Sequence, residues 1–274
     1  MSVLRTLKNA VPSMLTCLSA FCGVLSTFLA LEGEKSLVWA AYLILLAAVF
    51  DFSDGMAARL LNACSEMGKE LDSLADTISF GVAPTAIMFQ FLKQSMRLKG
   101  DLFSFEGWQI LVLLSCLMIG VLAILRLAKF NVDPGQAHSF KGLASPANAM
   151  FVASIPLIDA MMPEDLLFLS FLQNLFDFNI EFELILGLIG LQVFVFGKWF
   201  IMLPVALFFA GMMVTNLPMF SLKIKHLSYK ENKTVFNFLI FAGIMLMLLQ
   251  WIAVPVIILA YIIVSWIKTF KKKD

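Results

Sequence analysis

The chain carries little charge for its length. Asp, Glu, Lys and Arg make up 14% of its 274 residues against 61% hydrophobic residues, and mean hydropathy is +0.91. A soluble domain of this size needs far more polar surface, so the composition excludes that class and indicates a polytopic membrane protein. Four cysteines, Cys17, Cys22, Cys64 and Cys116, lack paired metal-ligand spacing. They exclude a disulfide framework and read as small packing residues. His138 and His226 are too few and too scattered for a histidine metal centre. No cleavable signal peptide is expected, because the first apolar stretch is long enough to span and lacks a cleavage site. The net charge of +1 excludes little, since in a membrane protein the distribution of charge is what matters. No nucleic-acid partner is expected.

What is present is a series of long apolar runs. After a leader with Arg5 and Lys8, the first span covers about Val11 to Leu31. The second starts near Leu37, the third runs from about Gly68 to Leu92, the fourth from Trp108 to Phe130 and the fifth from Pro146 to Met162. Residues 164–181 read as an amphipathic, Phe-rich interfacial segment. A continuous helix over 182–217 would be about 54 Å long, too much for one crossing. One crossing over about 198–217, with 164–197 interfacial or re-entrant, keeps the basic loop at 223–233 and Lys271 to Lys273 on the face that holds Arg59, Lys69, Arg126, Lys129 and Lys141. The last two spans, 234–250 and 252–268, form a hairpin with its turn near Trp251 to Pro255. The expected fold is all-α, a single integral-membrane domain over 1–274 with about eight transmembrane helices and both termini cytoplasmic.

Four carboxylates interrupt this apolar pattern: Asp51, Asp54, Asp72 and Asp76. At about 100° per residue, Asp51, Asp54, Gly55 and Ala58 share one helical stripe, and Gly68, Asp72 and Asp76 share another on the next helix. A loop of about eight residues between them predicts antiparallel neighbours with their acidic stripes facing. Four such charges at one membrane edge repel unless cations neutralise them. The oxygen-only ligand set suits two hard divalent cations, Mg²⁺ or Mn²⁺, which share their coordination with substrate phosphates. Gly55, Ala58 and Gly68 leave room for a bulky ligand, and Arg59 is placed to offer a fork to phosphate oxygens.

The pattern Asp51-x2-Asp54-Gly55-x2-Ala58-Arg59-x8-Gly68-x3-Asp72-x3-Asp76 resembles, at each fixed position, the signature of the CDP-alcohol phosphotransferases. Pro12, Thr16 and Gly23 match a further family element, although Ser13 and Ser19 stand where asparagines are usual. Three other segments are similar to the phosphatidylserine synthase branch: Asp76 to Pro84 (DTISFGVAP), Leu125 to Val132 (LRLAKFNV, with Lys129 for arginine) and Phe140 to Pro146 (FKGLASP, with Ala144 for proline). The resemblance covers about residues 7–150.

It implies transfer of a phosphatidyl group from CDP-diacylglycerol to the hydroxyl of L-serine, with release of CMP. In that scheme Asp51, Asp54, Asp72 and Asp76 hold the metal ions, and Asp76 is the general base. Pro12, Thr16, Gly55, Ala58, Arg59 and Gly68 surround the nucleotide diphosphate. Ser79, Arg126, Lys129, Lys141 and Ser145 are the candidates for binding serine, and Ser79 can equally bond within its own helix. The family also implies a homodimer in the cytoplasmic membrane, with its site facing the cytoplasm. Within the class, the alternatives are glycerol phosphate or inositol phosphate as acceptor, or an archaetidyl donor. Outside it, a cation-coupled transporter would put its carboxylates near mid-bilayer in two similar halves, and no second copy is evident.

Overall fold

A computed structural model describes residues 3–63, 65–132, 140–161, 198–219 and 229–270. The helices are α1 (Val3–Glu32), α2 (Leu37–Leu60), α3 (Glu66–Asp76), α4 (Ala83–Ser95), α5 (Gly107–Ser115), α6 (Leu117–Val132), α7 (Ser145–Asp159), α8 (Trp199–Val214), α9 (Tyr229–Leu249) and α10 (Ala253–Phe270). Two-residue strands β1 (Phe140–Lys141) and β2 (Pro218–Met219) pair antiparallel, Phe140 opposite Met219. Among the described residues, four stretches are long and apolar enough to cross a membrane: Ala10–Glu32, Glu34–Leu60, Gly107–Val132 and Lys233–Lys268. The chain is an all-α integral membrane protein.

Its packing matches lipid as solvent. Large apolar side chains such as Phe21, Phe28, Trp39 and Leu111 face outward. Where α1 meets α2, alanines and hydroxyls supply much of the contact. Ala40, Ile44 and Ala47 of α2 are fully buried, and α1 reaches the same face with hydroxyls: Ser26 donates to the Ala40 carbonyl at 2.7 Å and Ser19 to the Ala47 carbonyl at 3.1 Å. Close backbone approach plus interhelical hydrogen bonds is the packing available where the surrounding tails are as apolar as leucine.

The turn between α2 and α3 is tighter than the spacing alone predicts. Asn62 adopts φ 50°, and the Ala63 and Asn62 amides donate to the Ala58 and Arg59 carbonyls, a Schellman end. Ser65 then caps α3, its hydroxyl accepting from the Gly68 amide at 3.0 Å. The two signature helices are not the flush neighbours expected. α1 packs along both, while α2 makes its own contacts with α4 and the turn before it, so a wedge opens toward the loop.

Between α3 and α4, Thr77–Val82 winds as a π-helix. The wider turn rotates the downstream residues off the α-helical stripe. Ser79 therefore does not continue the Asp72–Asp76 line. It is fully buried against α1, donating to the Ser19 carbonyl at 2.9 Å. Gly23 permits that approach, since a Cβ there would lie 2.6 Å from Ser79 Cα.

The fourth span breaks at Cys116 between α5 and α6. α8, 16 residues long, is about 24 Å of helix, short of a full bilayer core. Its first residue meets the end that holds Ser95 and Trp108: the Trp199 amide donates to Ser95 Oγ at 3.0 Å. Its last turn meets the other end, where the Leu143 amide donates to the Met212 carbonyl and Lys129 Nζ to the Val214 carbonyl. The expected final hairpin is present, with its turn at Gln250–Ile252 and the Phe238 and Tyr261 rings 5.8 Å apart across it. The Phe-rich region 164–197, both histidines, Cys64, most of the 223–233 loop and Lys271 to Lys273 lie outside the described residues.

Candidate active site

Asp51 on α2 and Asp72 and Asp76 on α3 bring carboxylate oxygens within 4.8 Å of one another. The three come from helices tied by one short turn, and the stripes predicted from 100° periodicity deliver them to a single point. Asp76 is half-buried, and its Oδ1 is among the few buried side-chain atoms without a hydrogen-bond partner. Three carboxylates this close, one with an orphaned buried oxygen, fit a hard divalent cation. Without one the mutual repulsion is relieved only in part, by Arg126 near Asp76.

Asp54 is set apart from that trio. It is buried at 5% exposure, and Oδ2 accepts from Thr16 Oγ1 at 2.5 Å. Thr16 also bonds the Pro12 carbonyl at 3.0 Å, so α1 holds Asp54 from the side. Beside it lies a cavity of about 510 Å³, lined by Pro12, Ser13 and Thr16 of α1, Asp54, Gly55 and Ala58 of α2, Ala63 and Ser65 of the turn, and Glu66, Gly68, Lys69 and Asp72 of α3. This is the wedge between the splayed helices. A Cβ at Gly55 would meet nothing within 4 Å, so the missing side chain leaves open space rather than a packing contact. The sequence-selected residues Pro12, Thr16, Gly55, Ala58 and Gly68 all line it.

Arg59 does not. It is exposed, and its Nε donates to the Gly55 carbonyl one turn back at 2.9 Å. The cation lining the cavity is Lys69, which pattern alone passes over because its place in the signature is variable. Ser13, which stands where an asparagine is usual, also lines the cavity.

The acceptor-side candidates divide. Arg126, 9% exposed on α6, donates from a terminal nitrogen to Ser145 Oγ at 2.9 Å and lies within electrostatic reach of Asp76. Ser145 opens α7 and is fully buried. Lys129 is turned to the end of α8, and Lys141 sits in the β1–β2 pair. Ser79 clasps α1. Arg126 and Ser145 are thus the two that the structure brings beside Asp76. Gly142 holds the loop ahead of them at φ 74°, where a Cβ would fall 2.4 Å from the Met213 carbonyl oxygen. That accounts for glycine in the FKGLASP segment.

Known proteins show the same sequence relationships. Residues 9–172 match the family model for CDP-alcohol phosphatidyltransferases. Curated relatives include a CDP-diacylglycerol–serine O-phosphatidyltransferase of Bacillus subtilis, 34% identical over 143 residues, 52% of this chain and 72% of that protein. A protein of the same description from Mycobacterium leprae is 36% identical over 152 residues, 53% of this chain and 46% of its own length. An archaetidylserine synthase of Methanothermobacter thermautotrophicus is 35% identical over 150 residues, 54% of this chain and 58% of that protein. The chain thus spans about half the length of the mycobacterial relative. With the family match extending over more than half of the sequence and enclosing every residue of the acidic cluster, the chain belongs to the CDP-alcohol phosphatidyltransferase family.

Proposed function

We propose that the protein transfers phosphatidyl from CDP-diacylglycerol to the hydroxyl of L-serine, giving phosphatidylserine and CMP. The observation that carries the reading is the convergence of Asp51, Asp72 and Asp76, of which Asp72 also lines, with Asp54, a cavity large enough for a nucleotide headgroup. The acceptor rests on Arg126 and Ser145 beside Asp76, and on the names of the relatives, which share serine while differing in the lipid donor.

Asp51, Asp54, Asp72 and Asp76 are the residues that would hold Mg²⁺ or Mn²⁺, two ions in this reading. When bound, the metal neutralises diphosphate charge and lowers the barrier to attack at phosphorus. The chain's own groups do the rest. The α1–α2–α3 wedge takes the nucleotide, with Gly55, Ala58 and Gly68 admitting it to the backbone and Lys69 adding positive charge. Thr16 keeps Asp54 turned into the cavity. Arg126 orients the serine carboxylate, with Ser145 fixing the guanidinium plane. Asp76 Oδ1 takes the hydroxyl proton as oxygen attacks the β-phosphorus and CMP departs.

The reading also places both termini and the site on the cytoplasmic side, with eight crossings in a homodimer. The basic residues Lys69, Arg126, Lys129 and Lys141 gather at the acidic end, and Lys93, Arg97 and Lys99 share a cavity at the other; that asymmetry supports the orientation. The deciding experiment incubates purified protein with CDP-diacylglycerol, Mn²⁺ or Mg²⁺, and labelled serine, glycerol phosphate or inositol phosphate in turn. Lipid product is expected with serine alone, and product with a phosphorylated alcohol instead would reassign the acceptor.

A further inference from the structure

Among the described residues, the buried side-chain atoms with no hydrogen-bond partner are Asp76 Oδ1, Arg126 Nε, Asn148 Oδ1, Asn148 Nδ2 and Gln94 Nε2. Gln94 sits at the far end of the bundle with Lys93 and Arg97. All the others belong to Asp76, which precedes the π-helical turn, and to Arg126 and Asn148 on α6 and α7, both of which pack against that turn. Buried polar groups are ordinarily paired, and both ends of a fully buried amide left unpaired are costly. Concentrated in one place, such atoms mark a polar ligand whose groups complete them.

Asn148 lies one turn after Ser145 on α7, at the spacing that puts two residues on the same helical face. Ser145 already receives Arg126, and Arg126 feels the charge of Asp76. α7 packs against both the π-helical turn that succeeds Asp76 and α6, which carries Arg126. Asn148 is 0% exposed, in a helix otherwise made of small and apolar residues around it. No packing need accounts for an amide there.

We infer that Asn148 is the residue that selects the acceptor by its amino group. The inference rests on the serine reading and extends it to a residue outside the family-like motifs. A serine zwitterion offers three groups, and the four orphaned atoms divide among them. Its hydroxyl meets Asp76 Oδ1, its carboxylate takes the Arg126 Nε edge together with the Asn148 amide N–H, and its ammonium donates to Asn148 Oδ1. Glycerol phosphate and inositol phosphate have no ammonium, so for them Asn148 Oδ1 stays unpaired and opposes binding. A buried polar group that only the right substrate satisfies gives strong discrimination.

The test uses the full-length purified protein with CDP-diacylglycerol and varied L-serine. If the wild type makes no lipid from serine, the acceptor reading itself is wrong and this inference goes with it. Given wild-type turnover, Asn148→Ala is expected to raise KM for serine by roughly ten- to a hundredfold, as for loss of a hydrogen bond to a charged group. KM for CDP-diacylglycerol should stay within about twofold, because the nucleotide cavity is on the other side of the carboxylates. The thermal midpoint should not fall, since the amide removed has no partner among the described residues. Asn148→Leu, close in volume, provides a second folded variant with the same expectation. A serine KM within about twofold of wild type in either folded variant, or an equal rise for both substrates, overturns the assignment while leaving the serine reading intact.

Discussion

Asp54 and Asp76 belong to one signature and end in opposite situations. Asp54 is buried and held by Thr16, with the α1 backbone behind it. Asp76 keeps a buried oxygen with no hydrogen-bond partner among the described residues. The first is a carboxylate whose position is fixed by its own fold; the second is one whose bonding is left for something that arrives. The same contrast divides the site as a whole. On the nucleotide side Asp54 is bonded to Thr16 and the free space is a formed cavity. On the acceptor side Asp76, Arg126 and Asn148 are each incompletely bonded. In the proposed reaction a lipid-linked nucleotide would meet a prepared slot, whereas the small acceptor would complete a polar cluster that is unfinished without it.

Four substitutions sharpen or break that contrast. Asp76→Asn should cost the most, a loss of about 10²–10⁴ in kcat with CDP-diacylglycerol affinity nearly preserved. Near-normal turnover in a single-turnover assay would remove Asp76 from the chemistry. Thr16→Val unfastens Asp54 on the prepared side, and the lost bond to a charged group should raise KM for CDP-diacylglycerol about tenfold while serine KM holds. A change confined to serine would dissolve the division between the two sides. Gly142→Ala forces a Cβ onto the Met213 carbonyl at positive φ, for a loss of about 1–3 kcal/mol of stability, read as a lower thermal midpoint in detergent. An unshifted midpoint would mean that the loop has slack. Arg59→Ala should matter least, with both KM values within about twofold, because its guanidinium rests on its own helix. A tenfold rise in KM for the nucleotide lipid would show instead that Arg59 swings onto phosphate in the complex.

The helical stripes carrying Asp51, Asp72 and Asp76 were legible because a 3.6-residue period is a local property that the sequence states directly. So were the small residues of the cavity wall, and the closing hairpin to within a few residues. Less legible were features decided by contact. The wedge between α2 and α3 depends on α1 packing against both. The π-helical turn at Thr77–Val82 has no compositional mark, and it carried Ser79 away from the stripe onto Ser19. Lys129 reads as a ligand cation by its neighbours in sequence, yet it caps α8, a helix about 85 residues further on. Asn148 gave no signal at all: one amide in an apolar run is ordinary until its bonding is traced and found empty.

The stitch between the FKGLASP loop and the end of α8 has a mechanical meaning. Gly142 donates to the Leu217 carbonyl and Leu143 to the Met212 carbonyl, immediately before α7 begins at Ser145. Any tilt of α7 that admits a small molecule beside Asp76 must therefore pull on the tip of α8, and a push on α8 from the surrounding lipid is felt at Ser145 and Asn148. In the proposed reaction, bilayer thickness and acceptor capture would be coupled through two backbone hydrogen bonds.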